Sequence, residues 1–471
     1  MALDPQQIAQ LVSAARPAVF WTDREGAPDV ASSLGGRDNS ADLAIVGAGF
    51  TGLWAALQAV EEQPGRVIVV LEAEVAGFGA STRNGGFCEA SLTHGLLNGI
   101  SHWPDEIAAL QRMGRENLNE LIATAERLGI DAAIEATGQL HVADKPWQIG
   151  DLREMRDTAA AHGETLEWLD TDQVRAEVNS PTYLGGLWDR EGGAMIDPAL
   201  LTWGLRRACE DRGVVFHDNT RVKDIRIANG RLLLESHDDA WLFADRAVIA
   251  TNAWGEPERQ IRRYVIPIYD HVLMTEPLSA EQMGALGWRN RQGLADSANQ
   301  FHYYRLTADN RILWGGYDAN YHAGNGIGSE YEQRTDSHEK IAGHFFETFP
   351  QLEGLGFSHR WAGPIGTTSK FTAAFGTRHR GAAAWVAGYT GLGVGASRWA
   401  ARVALDLVDG RTNERTALSM VRRKPIPFPP EPFRNLVVQF TRKQIARADV
   451  NDGRPGTWLK MLDSMGVGFD S

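Results

Sequence analysis

The amino-acid sequence predicts an α/β protein in which a parallel-sheet domain is assembled from separated segments and an α+β domain, dominated by an antiparallel sheet, is inserted between them. Two observations lead to this prediction. A strand–helix–strand pattern surrounds a glycine-rich turn near residue 50, and further strand-like and helix-like segments at residues 194–254 and 386–407 are separated from it by long stretches. A chain of 471 residues is long enough for two or three folding units and for a fully enclosed ligand.

The first element is a strand–turn–helix unit close to the N-terminus. Residues 42–46 form an apolar run suited to a buried parallel strand, and the run ends at a turn that spans residues 47–52. A helix is predicted next, because apolar residues follow at helical spacing. Residues 66–71 predict a second strand, and Glu72 follows it, twenty positions after the last glycine of the turn.

Each part of this unit has a physical role in binding a dinucleotide. Gly47 permits the tight turn, Gly49 lets the backbone approach a pyrophosphate, and Gly52 allows the helix to pack closely on the strand. The helix N-terminus offers free N–H groups to phosphates, and Glu72 accepts a hydrogen bond from ribose hydroxyls. The sequence therefore predicts a Rossmann-type site with the contacts Gly47, Gly49, Phe50, Thr51, Gly52, Glu72 and Ala73. The alternative is a turn that only links a strand to a helix.

A second glycine-rich segment spans residues 77–86. Its glycines and small polar residues let many backbone N–H groups face a ligand, either a second phosphate or a flavin ring. The segment resembles the D-amino acid oxidase (DAO) family of FAD-dependent amine and amino-acid oxidoreductases. Within that family it is most similar to gamma-glutamylputrescine oxidase-like proteins, which carry a similar Gly-Ala-Ser and Arg-Asn-Gly-Gly pattern. The coenzyme contacts predicted here are Gly79, Ala80, Ser81, Arg83, Asn84, Gly85 and Gly86.

The resemblance recurs further along the chain. Residues 194–198 precede a predicted helix, residues 247–254 resemble the strand that returns to the coenzyme, and residues 386–394 resemble a flavin-contacting loop that leads into a helix. The resemblance implies FAD, held noncovalently because residues 363–366 contain no cysteine for its attachment. It adds the contacts Val222, Thr251, Asn252, Trp254, Gly388, Gly391, Leu392, Gly393 and Val394.

These segments divide the chain into discontinuous domains. We assign residues 41–100, 193–256 and 361–412 to the FAD-binding domain, and residues 101–192 and 257–360 to a substrate domain that covers the flavin. Residues 1–40 and 413–471 are an N-terminal and a C-terminal extension. Within the substrate domain, strands are predicted at residues 264–277 and 301–317, and a helix at residues 105–128.

The resemblance also implies the reaction: hydride leaves the carbon beside a neutral nitrogen for flavin N5, and water hydrolyses the resulting imine to an aldehyde or ketone. The substrate is a primary or secondary amine, whose alkylammonium form suits the faces of aromatic rings. Substrate contacts are expected where family strands reach the flavin, at His271, Tyr303, Tyr304, Arg305, Trp361, Lys370 and Tyr389. For any one of them, the alternative is a packing or surface role.

Two departures from sarcosine oxidases of the family bear on the reaction. The chain has no lysine near Gly395 to bind a substrate carboxylate, so small α-amino acids are disfavoured. It also has none in residues 311–316 to activate oxygen, so molecular oxygen and another electron acceptor both stay open. Two other functions are also left open: oxidation of a hydroxyacid or polyol phosphate, and service as a flavin-binding subunit of a larger complex.

Composition excludes several other classes. A net charge of −13 argues against nucleic acid as a partner. Cys88 and Cys209 are the chain's cysteines, too few for a disulfide framework or a thiolate metal site, so no metal is predicted and a reducing, cytoplasmic location is expected. The apolar window of residues 41–60 fits a strand and a helix better than a membrane span. An oligomer is compatible with the basic C-terminal extension.

Overall fold

The computed structural model of the protein describes residues 4–37 and 39–467. The strands are β1 Asn39–Val46, β2 Ile68–Leu71, β3 Phe87–Glu89, β4 Gln139–Ala143, β5 Glu167–Leu169, β6 Gly185–Asp189, β7 Gly193–Met195, β8 Val215–His217, β9 Val222–Ala228, β10 Arg231–Ser236, β11 Trp241–Ile249, β12 Ile266–Thr275, β13 Gly293–Asp296, β14 His302–Leu306, β15 Ile312–Tyr321, β16 Phe357–Thr367, β17 Ala374–Arg378 and β18 Ala383–Ala387. The α-helices are α1 Pro5–Ala14, α2 Phe50–Glu62, α3 Leu96–His102, α4 Ile107–Arg127, α5 Gln148–Ala161, α6 Thr171–Glu177, α7 Pro198–Glu210, α8 Ile261–Tyr264, α9 Ala280–Leu286, α10 Thr335–Thr348, α11 Gly393–Val408, α12 Glu414–Ala417, α13 Ser419–Arg422, α14 Phe433–Val450 and α15 Thr457–Ser464.

The first sheet is built around parallel strands, in the order β17-β18-β11-β1-β2-β8. β18, β11, β1, β2 and β8 run parallel to their neighbours, whereas β17 and the β9–β10 hairpin are antiparallel additions. The apolar runs predicted as buried strands supply its centre, because both faces are covered. Helix α2 packs on this sheet and against helices α7 and α11, and α11 also packs on the sheet.

The second sheet is mostly antiparallel, in the order β16-β12-β15-β14-β13-β4-β6-β5. Only the β13–β4 pair among its described neighbours is parallel. Helices α1 and α10 pack over one of its faces around a cluster of buried aromatic and aliphatic side chains. The predicted fold class, a parallel-sheet domain combined with an α+β domain dominated by an antiparallel sheet, is therefore confirmed.

The individual elements follow from local sequence signals. Asp197 caps α7 by accepting hydrogen bonds from Ala199 N and Leu200 N, both at 3.0 Å, and Pro198 occupies the first helical turn. The turn at residues 229–230 joins β9 to β10, as its Asn-Gly pair predicts. Strand β16 runs to Thr367 within the second sheet, although our division assigned residues from 361 onward to the FAD-binding domain. The domain boundaries themselves stay a prediction.

The C-terminal extension packs on the second sheet of the same chain. Gln439 Nε2 in α14 donates to the Tyr321 carbonyl oxygen at 3.0 Å, and Arg442 donates to Asn320 Oδ1 at 2.8 Å. Both contacts lie at the end of β15, so α14 is anchored beside that strand. Across residues 4–37 and 39–467, no helix combines the length and the apolar character that a membrane span requires.

Candidate active site

A single continuous cavity of about 1700 Å³ lies between the two large sheets. The carboxyl ends of three neighbouring parallel strands reach it, at Val46 of β1, Leu71 of β2 and Ala250 after β11. In open α/β sheets, ligands bind at this edge, because the loops there and the N-termini of the following helices converge. The opposite wall is the face of the second sheet, and α14 and α15 contribute side chains from the C-terminal extension.

The glycine-rich turn before α2 has the geometry that close packing demands. Gly47 has a φ of +103°, which L side chains rarely adopt. A Cβ on Gly52 would lie 1.8 Å from the Gly47 carbonyl oxygen, so only glycine lets the helix approach the strand this closely. The N-cap residue Gly49 has no side chain to cap α2, and among the N–H groups of the first turn the Phe50 N–H already donates to Ser81 Oγ at 2.9 Å. The first turn of α2 therefore presents backbone N–H groups to the cavity.

Glu72 stands at the end of β2, beside this turn. Its Oε2 accepts a hydrogen bond from Ala48 N at 2.7 Å, and its Oε1 accepts one from Glu74 N at 3.0 Å. Burial raises the pKa of Glu72, and the two backbone donors oppose that rise. The carboxylate thus ties the glycine turn to β2, and its remaining lone pairs are available to hydroxyl groups of a ligand.

The second glycine segment forms a compact loop against the first. Asn84 Nδ2 donates to the Ala80 and Ser81 carbonyl oxygens at 3.1 and 2.8 Å, and Asn84 Oδ1 accepts from Gly86 N at 2.8 Å. A Cβ on Gly79 would lie 3.1 Å from the Trp254 ring, so these two predicted contacts adjoin each other. The loop and the return strand are consequently held together on the cavity wall.

The third wall is the loop before α11 and the residues after β11. Asn252 Oδ1 accepts a hydrogen bond from Gly388 N at 2.9 Å, and Tyr389 and Thr51 share a hydrogen bond of 2.7 Å between their hydroxyl groups. Thr251 Oγ1 is buried and has no hydrogen-bond partner within the described chain. An orphaned hydroxyl on a cavity wall fits a bound polar ligand, because a buried polar group without a partner is unfavourable.

Most residues predicted to contact the coenzyme line this cavity. They are Gly47, Gly49, Phe50, Thr51, Glu72, Ala73, Gly79, Ala80, Ser81, Arg83, Asn84, Gly85, Val222, Thr251, Asn252, Trp254, Gly391, Leu392, Gly393 and Val394. Gly52, Gly86 and Gly388 do not line it. They shape the loops behind the wall, since a Cβ at each would lie within 2.4 Å of a neighbouring atom.

Of the predicted substrate contacts, Tyr303 and Tyr389 line the cavity. The Tyr303 hydroxyl donates to Asp270 Oδ2 at 2.5 Å. Burial raises the pKa of Asp270 to about 6, and the Tyr303 hydrogen bond opposes that rise. The tyrosine and the carboxyl group thus form a polar pair on the face of the second sheet.

The structure places the other predicted substrate contacts away from the cavity. His271, in β12, has its side chain on the covered face of the sheet, where its ring packs against His338 at 5.0 Å between ring centroids. Trp361, in β16, pairs with Val272 and lies on the other face, buried against Val272, and its indole N–H donates to the Arg83 carbonyl oxygen at 2.9 Å. Strand alternation explains the position of His271, because its neighbours Asp270 and Val272 are the residues that reach the cavity.

The remaining three have structural contacts of their own. The Tyr304 hydroxyl shares a 2.7 Å hydrogen bond with Tyr183 in the hydrophobic cluster beside the second sheet. Arg305 Nη1 donates to the Ile196 carbonyl oxygen at 2.6 Å, and burial lowers its pKa to about 10. The Lys370 ammonium lies 5.5 Å from the centre of the Trp103 ring.

Sequence reasoning missed several polar residues that do line the cavity: Asp270, Glu89, His141 and Asp189. Burial raises the pKa of Glu89 to about 7 and lowers the pKa of His141 to about 4. Glu89 lies three positions after Gly86, and alternation with Phe87 places both side chains on the cavity side of β3. Register was the missing information, since it decides which of two adjacent residues faces the ligand.

The comparisons with known proteins agree with this geometry. Residues 42–407 match the family model described as DAO, FAD dependent oxidoreductase. The chain is 30% identical over 415 residues to gamma-glutamylputrescine oxidoreductase from Escherichia coli, a match that covers 87% of this chain and 92% of that one. The crystal structure of glycine oxidase from Geobacillus kaustophilus superposes with a TM-score of 0.67 at 19% identity, over 82% of this chain and 99% of the other. L-alpha-glycerophosphate oxidase from Mycoplasma pneumoniae with FAD bound superposes with a TM-score of 0.62 at 16% identity, over 79% and 95% of the two chains.

Proposed function

The chain belongs to the DAO family of FAD-dependent oxidoreductases, and from that premise we propose that it oxidises the carbon–nitrogen bond of a primary or secondary amine. The supporting observation is the cavity, which runs without interruption from the dinucleotide loops to a wall that carries Asp270, Glu89 and aromatic rings. A carboxylate-rich wall attracts amines, which are cationic in water at neutral pH. The relative from Escherichia coli is named for an amine substrate, which is consistent with this proposal.

We propose that the loops around the first sheet hold the FAD dinucleotide. The start of α2 would receive the pyrophosphate on its free N–H groups, and Glu72 would accept hydrogen bonds from the ribose. Thr251 would gain the partner that its hydroxyl lacks. The residues present fit the group, because the residues at the start of α2, Glu72 and Thr251 all line the same cavity.

Bound FAD supplies the electron chemistry: it accepts a hydride from the carbon beside nitrogen, and the imine left behind is hydrolysed to an aldehyde or ketone. The chain's own task is to hold and orient a neutral amine and to exclude water from it. Phe87 and Tyr303 meet edge to face with ring centroids 5.6 Å apart and form an aromatic wall for the alkyl part of the substrate. The Tyr303–Asp270 pair adds a hydrogen-bonding group to that wall.

The loop before α11 would stabilise the reduced coenzyme. The N-terminus of α11 has no side-chain cap, and Gly391, Leu392 and Gly393 line the cavity. Free N–H groups at a helix start favour negative charge, which the coenzyme gains on reduction. Molecular oxygen or another electron acceptor then reoxidises the coenzyme.

Oxidation of a polyol phosphate is less well supported by the cavity wall. Of the arginines that line the cavity, Arg83, Arg115, Arg190 and Arg221 are paired with glutamates at 2.6 to 3.4 Å. Arg442 donates to the side-chain oxygens of Gln439 and Asn320 at 2.9 and 2.8 Å. A phosphate substrate would have to displace these partners. The structural neighbour that acts on L-alpha-glycerophosphate is only 16% identical, and that likeness concerns the fold alone.

The proposal is tested by mixing the purified holoenzyme with candidate substrates without oxygen and following flavin absorbance. We expect bleaching by primary or secondary alkylamines, and none by hydroxyacids or glycerol phosphate of similar size. Bleaching by the alcohols alone would refute the amine proposal while leaving the family assignment intact.

A further inference from the structure

Glu89 is the one carboxylate of the wall whose position suggests a specific ligand. It ends β3, which pairs antiparallel with β7 and places Glu89 opposite Gly193. The Cys88 side chain points the other way, toward α11, because a Cβ on Gly395 would lie 3.5 Å from Cys88 Sγ. Phe87 and Glu89 therefore share the cavity side of β3, and both line the cavity.

Throughout the described chain, no hydrogen bond or ion pair engages the Glu89 carboxylate. The charged group that acts on it is another carboxylate, Asp189 at the end of β6. Gln139 of β4 pairs with Asp189 in the sheet. His141 lies two residues further along β4, and burial lowers its pKa so that its imidazole is neutral. From α4, Arg115 also lines the cavity, but it is paired with Glu164 at 2.7 Å. Glu89 is partly buried on the cavity wall and, among the described residues, has no cation beside it, which is unfavourable for a partly desolvated carboxylate.

We propose that Glu89 binds a positive charge of the substrate that is separate from the reacting nitrogen, so that the preferred substrate is a diamine or a related dication. This inference rests on the proposed amine oxidation. Hydride leaves a carbon beside a neutral nitrogen, whereas a carboxylate stabilises the protonated form of the amine with which it pairs. The ammonium that Glu89 binds is for that reason the second amino group, at the other end of the molecule.

The cavity that Glu89 lines also carries apolar side chains, which suit the chain that joins two such groups. Leu97, Leu110, Leu152, Met155 and Leu187 line the cavity, and their apolar surfaces accommodate a run of methylene groups. An ammonium at Glu89 would relieve the repulsion between Glu89 and Asp189. Two like charges with no counterion are unfavourable in a desolvated site, and a bound dication supplies the counterion.

The first experiment uses the holoenzyme and two amines of the same length and shape, 1,4-diaminobutane and pentylamine. Pentylamine has a methyl group where 1,4-diaminobutane has its second ammonium group. Anaerobic stopped-flow reduction should show a preference for the diamine of about tenfold or more, the range of one charge-assisted contact. Glu89→Gln should abolish this preference. The exposed carboxylate of Glu126, on α4 and outside the cavity, gives the matched control Glu126→Gln, which should behave as wild type.

The second experiment separates this inference from the proposed function. Pentyltrimethylammonium carries a permanent charge and has no nitrogen lone pair, so it should bind the oxidised holoenzyme without reducing it. We expect its perturbation of flavin absorbance to require about tenfold more ligand in Glu89→Gln than in wild type. Titration calorimetry in buffers of different ionisation enthalpy should also detect proton release on binding near pH 7, and that release should disappear in the variant.

The outcomes are distinct. If wild type reduces its flavin equally well with the diamine and with pentylamine, the inference is overturned. This comparison needs no variant, so its outcome does not depend on whether Glu89→Gln folds. Equal affinity of wild type and a flavin-loaded Glu89→Gln for the quaternary ammonium also overturns it. If neither amine bleaches the flavin, but the quaternary ammonium still binds in a Glu89-dependent way, the proposed amine oxidation fails and the cation site stands.

Discussion

Replacing Gly52 with alanine tests whether close approach of α2 to β1 holds the dinucleotide loop in place. The added Cβ would lie 1.8 Å from the Gly47 carbonyl oxygen, whereas real Cβ contacts essentially never fall below 3.0 Å. The helix start must therefore move by about 1 Å, and such overpacking typically destabilises a protein by about 1–3 kcal/mol. Alanine alone would favour the helix by up to about 1 kcal/mol, so the sign of the measured change shows which effect dominates.

A matched control separates packing from helix propensity. Gly150 lies in α5, and a Cβ there would meet no atom within 4 Å. Gly150→Ala should be neutral or stabilise the protein by up to about 1 kcal/mol. Gly52→Ala should destabilise it by about 1–3 kcal/mol and weaken FAD binding by about tenfold, which corresponds to about 1.4 kcal/mol at the pyrophosphate.

The assay is urea unfolding followed by tryptophan fluorescence, together with titration of the apoprotein with FAD. Wild-type stability and wild-type FAD affinity in Gly52→Ala would refute the packing argument. A loss of affinity of the same size in Gly150→Ala would show that any alanine in a helix has this effect.

Three further changes have expected outcomes. Tyr303→Phe removes the hydrogen bond that opposes the burial-induced rise of the Asp270 pKa. That pKa should therefore rise above about 6, and the pH profile of flavin reduction should shift to higher pH. An unshifted profile would show that Asp270 does not govern the pH dependence of flavin reduction. Burial raises the pKa of Glu89 from 4.5 to about 7, so the apoprotein loses up to about 3 kcal/mol of stability as pH rises through this window, at about 1.4 kcal/mol per pKa unit. Glu89→Gln should recover that stability at pH 8 and change nothing at pH 4, and denaturant titrations with equal gains at both pH values would contradict this assignment. Arg206→Met leaves the buried carboxylate of Asp218 without its 2.8 Å ion pair and should destabilise the protein by about 3–5 kcal/mol in the same unfolding assay. A change below about 1 kcal/mol would show that the ion pair is dispensable for stability.

The dinucleotide loops were predictable from sequence because their signals are local. The turn at residues 47–52 needs glycine for reasons that act within a few residues, and Glu72 follows its strand directly. Asp197 and Pro198 likewise predicted the start of α7. Such features depend on short-range sterics and hydrogen bonds, which a single sequence states plainly.

The substrate wall was less predictable because it depends on long-range pairing. In β12, the sequence favoured His271, but the register with β15 and β16 turns Asp270 toward the cavity and His271 away from it. Tyr303 and Tyr304 show the same rule, since adjacent strand residues point to opposite faces and only Tyr303 reaches the cavity. One residue of register separates a cavity-lining side chain from a packed one, and sequence alone did not fix that register.

The side chains that α14 and α15 contribute to the cavity have a consequence for how this enzyme diverges from its relatives. Val438, Thr441 and Leu459 face the cavity from a part of the chain that lies beyond residue 407, where the match to the family ends. Substitutions in this stretch can therefore change the shape of the cavity without touching the glycine turns at residues 47–52 and 77–86. The substrate side of the cavity is thus lined both by the segment that matches the family and by the stretch that follows it.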